Sequence, residues 1–161
     1  MAGIGLVIII AGIIASMAAA MYMYTQYQTN FIEAKAGEQV QIGPILYSVD
    51  FDGTHQGNKD NQPKNTFLKI KIEAKNISNG TQRMTGGQFY LADKNNQNHE
   101  AVYGNFSPED LIDDILEPGE SANWTTQFDV PYDEQDQYKV IIRPTKQQST
   151  VDTALICITN C

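Results

Sequence analysis

A chain of 161 residues with 11 Lys and Arg against 19 Asp and Glu carries a formal net charge of -8. That length holds one domain of ordinary size and a short extra segment, and the acidic balance, with no basic cluster anywhere, excludes a nucleic-acid binder. The charge is unevenly placed: residues 1–32 contain no Asp, Glu, Lys, Arg or His, and all 30 charged side chains follow them.

Residues 1–24 read MAGIGLVIIIAGIIASMAAAMYMY, an uncharged run predicted as one hydrophobic helix. Residues 2–24 would measure about 35 Å as a helix, and a bilayer core needs about 20 apolar residues. A core helix of a soluble domain carries a polar stripe, which this run lacks. Ala18, Ala19 and Ala20 fit a small-residue cleavage site, but no basic stretch stands before the apolar run, so the segment is read as retained. Small residues recur four apart in two rows, Ala11, Ala15 and Ala19 beside Gly12, Ser16 and Ala20. Such rows let helix backbones approach closely, so the expected partners are copies of the same helix, or membrane lipid around it. Tyr22, Tyr24 and Tyr27 mark the apolar–aqueous boundary, where a ring with a wet hydroxyl is favoured.

The stretch Ala2-Gly3-Ile4-Gly5-Leu6-Val7-Ile8-Ile9-Ile10-Ala11 resembles the mature N-terminal helix of archaeal type IV pilins and archaellins. Those helices open on a Gly-Ile-Gly stretch, run uncharged through Ile, Val and Ala, and join a β-sandwich directly. The resemblance implies a subunit of a surface filament, with helices in its core and sandwiches facing solvent. Pilin precursors carry a short basic leader before the helix. Met1 is therefore read either as the residue after a processed leader or as the start of a signal anchor.

Residues 25–36 read as a polar connector and residues 37–161 as an all-β body, with period-2 segments bounded by turn residues. Residues 40–51 place Tyr47, Val49 and Phe51 on one face, and residues 55–65 form a polar loop. Residues 67–75 are the clearest strand: Leu68, Ile70, Ile72 and Ala74 point inward, Lys69, Lys71, Glu73 and Lys75 outward. Residues 76–81 turn. Residues 88–92 and 99–103 form two strands around a turn at 93–98. Ser107-Pro108-Glu109-Asp110 is expected to start a short helix through Ile115, with Ser107 as its cap and Pro108 at its first position. Residues 122–130 alternate with Trp124, Thr126, Phe128 and Val130 inward, which puts Asn123 outward. Residues 138–143 and 151–158 complete seven strands, the number of an immunoglobulin-like sandwich. Residues 151–158 are apolar on both faces. One face carries Val151, Leu155 and Cys157 and the other Ala154, Ile156 and Ile158; one is expected on the sandwich core and the other against the connector after the helix or a neighbouring subunit, and Ile156 is assigned to the neighbour contact.

The body is similar to the telokin-like, immunoglobulin-type domains of unknown function found on anchored and secreted proteins. The matching pieces are Gly37-Glu38-Gln39-Val40-Gln41-Ile42-Gly43 before Tyr47-Ser48-Val49, the strand from Phe67 to Asn76, Phe89-Tyr90-Leu91-Ala92-Asp93, and Leu116-Glu117-Pro118-Gly119-Glu120 before Phe128-Asp129-Val130-Pro131. The resemblance implies a fold and a surface address but no reaction.

Asn76, Asn79, Asn105 and Asn123 each open an Asn-x-Ser/Thr glycosylation sequon, four where composition alone predicts about one. Pro108 follows the third directly and weakens it. Cys157 and Cys161 would stand about 13 Å apart in an extended strand, but a turn at Thr159 and Asn160 brings them within disulfide range. Two thiols do not make a zinc site, and the acidic groups at Asp50–Asp52, 109–114 and 129–136 read as solvated surface, so no metal and no cofactor is expected. His55 and His99, the only histidines, stand outside any nucleophile, phosphate-loop or metalloprotease motif, and no catalytic residue is expected. The sequence thus predicts a mainly β protein: a seven-stranded immunoglobulin-like sandwich on one long N-terminal hydrophobic α-helix. Its function reads as a structural subunit of an archaeal pilus-like or archaellum-like filament. The alternative is a single-pass anchored extracellular binding protein, archaellum stator-like or holding the surface layer.

Overall fold

The computed structural model describes residues 2–148 and 150–161. Met1, and the side chains at positions 2–4 and 6 that carry part of the Gly-Ile-Gly opening, lie outside the described residues. The chain divides into two units, Met1–Asn30 and Phe31–Cys161.

The first unit is helix α1, Ala2–Gln26. Nothing interrupts it because residues 2–26 contain no Pro, and its three glycines, Gly3, Gly5 and Gly12, are never adjacent. Val7, Ile8, Ile9, Ile13, Ile14 and Met17 are all exposed. The segment Val7–Gln26 is long and apolar enough to cross a membrane.

The second unit is built from eleven strands: β1 (Asn30–Lys35), β2 (Val40–Ile42), β3 (Ile45–His55), β4 (Thr66–Asn76), β5 (Gln82–Thr85), β6 (Phe89–Ala92), β7 (Asn98–Val102), β8 (Asp113–Leu116), β9 (Ser121–Val130), β10 (Tyr138–Ile142) and β11 (Asp152–Thr159). Nine of them form a continuous order β1-β11-β10-β6-β7-β9-β4-β3-β2, and β5 pairs with β8 separately. Strand β7 is the corner: it pairs with β6 through Tyr90–Glu100 and Leu91–His99, and with β9 through Ala101–Phe128. Strand β11 comes back against β2 and β3, which folds the sheet over its own core as a sandwich.

The register of β4 follows its alternation. Leu68, Ile70, Ile72 and Ala74 are buried, while Lys71, Glu73 and Lys75 are exposed. Antiparallel pairing with β9 sets Ile72 opposite Trp124 and Glu73 opposite Asn123. Trp124 is only 6% exposed and Asn123 faces solvent, as the inward and outward faces of β9 require.

Four sequence expectations need correction. The helix continues to Gln26 and residues 30–35 form β1, so most of the expected connector is structured. The structure adds strands β5 and β8, both four residues long with β8 mostly exposed, and splits residues 40–51 between β2 and β3. The expected helix from Ser107 does not form. Leu111 N–H donates to Thr125 O and Thr125 N–H to Glu109 O, both at 2.8 Å, so this backbone is spent on β9 before a helical turn can repeat. Ile156, assigned to a neighbouring subunit, is 0% exposed in the domain's own core, packed with Ala154 and Ile158.

Candidate functional site

One end of the sandwich gathers three rings. The β3–β4 loop and the loop after β7 meet there, and His55, Phe67 and Phe106 lie with ring centroids 4.9–5.2 Å apart. Beside them is an open cleft of about 380 Å³ lined by Asp52, Thr54, His55, Lys69, Phe106 and Ser107.

Local sequence builds each wall. The pairing of β3 with β4 shifts register between Phe51 and Thr54, a bulge at which Gly53 takes φ +91°. Bulges re-aim side chains at sheet ends. Here Asp52 forms an ion pair with Lys69 at 2.8 Å. Residues 56–65 are held, not loose. Asn58 Oδ1 accepts the N–H groups of Asp60 and Asn61, and Asp129 accepts those of Lys64 and Asn65. Asn61 Nδ2 donates to Gly104 O at 3.1 Å and ties this loop to the next. Gly57, at φ +78°, has no room for a side chain, since a Cβ would lie 2.0 Å from Asn61 O.

Asp110 shapes the second loop. Its carboxylate accepts Phe106 N–H at 2.7 Å, Ser107 N–H at 3.3 Å and the Thr125 hydroxyl at 3.1 Å. The Phe106 ring folds back over Gly104, where a Cβ would meet it at 2.4 Å. The acidic group around 109–114 is therefore partly structural. Asp110 bends a loop, Asp113 pairs with Arg83, and Asp114 accepts the Trp124 indole N–H at 2.9 Å.

His55 is committed in an unusual way. Its Nδ1 accepts Gly57 N–H at 3.1 Å, which puts the proton of the neutral ring on Nε2. That Nε2 is buried and has no partner among the described residues. Burial, with the Lys69 charge adding to it, holds the imidazole below its usual value against an opposing pull from Asp110. A general base needs a free ring lone pair aimed at its substrate, and the only lone pair here is taken by the backbone. The arrangement suits binding: an aromatic wall, hydroxyls and an ion pair around a small opening. His99 is on β7 instead, 3.2 Å from Asp93 Oδ2, where it braces the β6–β7 turn.

The other sequence-predicted residues are dispersed. Ala11, Gly12, Ala15, Ser16, Ala19 and Ala20 are exposed along α1, and Ser16 Oγ donates to Ile13 O of its own helix at 2.9 Å. Cys157 and Cys161 are joined as a disulfide, with Cα atoms 5.8 Å apart. The reversal comes from Asn160 at φ +50°, whose Nδ2 donates to Glu134 O and Asp136 O. Beside the bridge, Glu33, Lys35, Lys139 and Leu155 line a second groove of about 300 Å³. Asn79, Asn105 and Asn123 are exposed, but Asn76 is fully buried and its sequon is not a surface site. Lys69, Phe106 and Asp110 went unrecognised as one cluster. The run Asn-Phe-Ser-Pro-Glu-Asp read as a helix start, and nothing in it signals that Asp110 would turn back onto its own loop.

The chain belongs to the family described as "Domain of unknown function (DUF4352)", which matches residues 34–151. No curated protein matches it. Among solved structures it is similar to the yjhA protein of Bacillus subtilis, at 20% identity and a TM-score of 0.63 over 78% of this chain and 98% of that one. It is also similar to MPT63, a secreted protein of Mycobacterium tuberculosis, at 13% identity and a TM-score of 0.63 over 82% of this chain and 99% of that one. At these identities the likeness is one of fold.

Proposed function

We propose that this DUF4352 protein is a single-pass, membrane-anchored binding protein, with α1 in the bilayer and the sandwich outside the cytoplasm presenting the cleft around His55 to a partner. The observation that carries this reading is the charge partition. A helix of 25 residues has no ionisable group able to titrate in lipid except tyrosine at its end, and the charges all follow from Glu33 onward. Exposed Val, Ile and Met side chains along α1 require an apolar surrounding. A disulfide near the chain end fits an oxidising compartment, and a protein of similar fold is described as secreted. The test is extraction of native membranes with alkaline carbonate, together with protease treatment of intact cells. The protein should stay in the membrane pellet until detergent is added, and protease should remove the sandwich. Release by carbonate alone would overturn the anchor.

The small-residue rows on α1 favour a second reading, a subunit of a pilus-like or archaellum-like filament with α1 bundled in its core. The family match supports the sandwich and adds nothing to assembly. Negative-stain microscopy of native material separates the two: filaments with a helical repeat replace the anchor, and monomers or dimers in detergent retain it.

A further inference from the structure

The tandem sequons at the β4–β5 turn are not equivalent. Asn76, the last residue of β4, is 0% exposed. Both of its amide hydrogens are spent, on Gly80 O at 2.7 Å and Leu116 O at 3.0 Å. Its Oδ1 accepts Ser78 N–H at 2.9 Å, and the Ser78 hydroxyl lies 2.8 Å from the same oxygen. Its backbone N–H donates to Glu120 O and its carbonyl accepts Gly119 N–H. Asn76 is thus the pin that folds residues 77–81 into a projecting turn. A buried amide with no spare hydrogen cannot act as a nucleophile or be reached by an enzyme.

That turn presents Asn79. Asn79, Gly80 and Thr81 are all exposed, and the Asn79 side chain makes no hydrogen bond among the described residues. Neither remaining sequon offers this. Asn123 faces solvent, but its Thr125 is buried on β9 with its hydroxyl donated to Asp110. Asn105 is exposed, but its Ser107 Oγ accepts Glu109 N–H at 3.0 Å, and Pro108 follows. A transferase must reach the Asn amide within its Asn-x-Ser/Thr tripeptide, so the whole tripeptide has to be accessible on a surface loop.

We infer that Asn79 is the N-glycosylation site of the folded protein, and that Asn76 serves to build the turn that presents it. The inference rests on the extracytoplasmic placement proposed above. In the transfer, the Asn79 amide nitrogen forms a bond to the anomeric carbon of a lipid-phosphate-linked sugar. The bond from that carbon to the phosphate oxygen breaks, the lipid phosphate leaves with the bonding pair, and the amide gives up one proton. Strand β4 runs from Thr66 to Asn76, roughly 33 Å at ~3.3 Å per residue, so the glycan would stand at the end opposite the cleft and leave it open.

The test is peptide mass spectrometry of full-length protein purified from native membranes, with protease treatment of intact cells in parallel. The expected result is a glycan on the peptide containing Asn79, lost in Asn79→Gln and in Thr81→Ala, kept in Thr81→Ser, with Asn76, Asn105 and Asn123 bare. A bare Asn79, or a glycan on Asn105 or Asn123 instead, overturns the inference. If Asn79 is bare while protease still removes the sandwich from intact cells, the glycosylation site falls and the anchor reading stands. A sandwich fully protected from protease, with Asn79 bare, overturns both.

Discussion

Trp124 and His55 illustrate how single side chains carry this domain. Trp124 puts its ring in the core while its indole N–H stays satisfied by Asp114. Truncation to Ala should therefore cost about 3–5 kcal/mol, the usual loss for a buried aromatic, read as a lowered denaturant midpoint. Asp114→Asn should cost far less, since an amide oxygen still accepts the indole N–H. His55 predicts a pH dependence. Its folded-state pKa lies below the ordinary 6.5, so the folded protein favours the neutral ring. The stability this contributes is fully present above about pH 6.5 and is lost as pH falls through the lowered value. Protonation would also force a hydrogen onto Nδ1, against Gly57 N–H. The melting temperature should decline on acidification below about pH 6.5, and His55→Gln should flatten that decline. A wild-type profile that is level down to the carboxylate range would refute it. Asp93 acts in a lower window. Burial alone would raise its carboxyl, but N–H donors from Gln97 and Asn95 and the contact with His99 outweigh that and hold it below its usual value.

At the scale of elements, α1 and β11 depend on different forces. Helix α1 has no polar face, so its environment must supply the apolar contact. Ala15→Arg places a charge near the middle of the segment at a cost of at least ~2.5 kcal/mol, and carbonate extraction should then release the variant. Retention in the pellet would show that α1 does not span. Strand β11 pairs with β10 from Tyr138–Thr159 to Ile142–Ala154, and its end is closed by the bridge between Cys157 and Cys161. Native protein should weigh two hydrogens less than its reduced form, with no disulfide-linked dimer in non-reducing mass analysis. Backbone amides at the end of β11 should exchange faster in Cys161→Ser, because the chain end is then free to fray.

The whole molecule decides what no single strand can. Strand β11 packs through Ala154, Ile156 and Ile158 into the same core as Tyr47 and Val49 of β3, strands distant in sequence. Ile156→Asp would bury an unpaired carboxylate there, a loss on the order of 4 kcal/mol or more, and should leave no soluble folded product. A folded, soluble variant would mean that this face is not core. The same closure fixes the buried polar cluster above it. Gln148 Nε2 donates to the Tyr47 hydroxyl at 3.3 Å, and Gln88 Nε2 donates to Gln148 Oε1 at 3.1 Å. Burial pushes the Tyr47 phenol up to about 12, so it stays neutral throughout the physiological range.

By itself the sequence determined every feature that rests on local period and composition. The uncharged run dictates α1, because only a helix satisfies its own backbone when every side chain is apolar. The alternation of Leu68, Ile70, Ile72 and Ala74 with Lys and Glu dictates β4 and its inward face, and the inward Trp124 follows by the same rule on β9. Asn160, tolerant of positive φ, marks the turn that brings Cys157 to Cys161. Tertiary structure decided whatever depends on a distant partner. Strand β8 exists because β5 supplies its hydrogen bonds, and the Ser107 segment keeps its capping contact to Glu109 N–H but does not go on into a helix, because Thr125 takes the backbone groups of Glu109 and Leu111. Ile156 is core because β11 folds back over the sandwich. Asn76 and Asn79 share one motif and stand three residues apart, yet the carbonyls of Gly80 and Leu116 make the first a buried pin while the second stays exposed to solvent. A hydrogen-bonding side chain looks the same in sequence whether its partner is water or a buried backbone, and the partner is what sets its role.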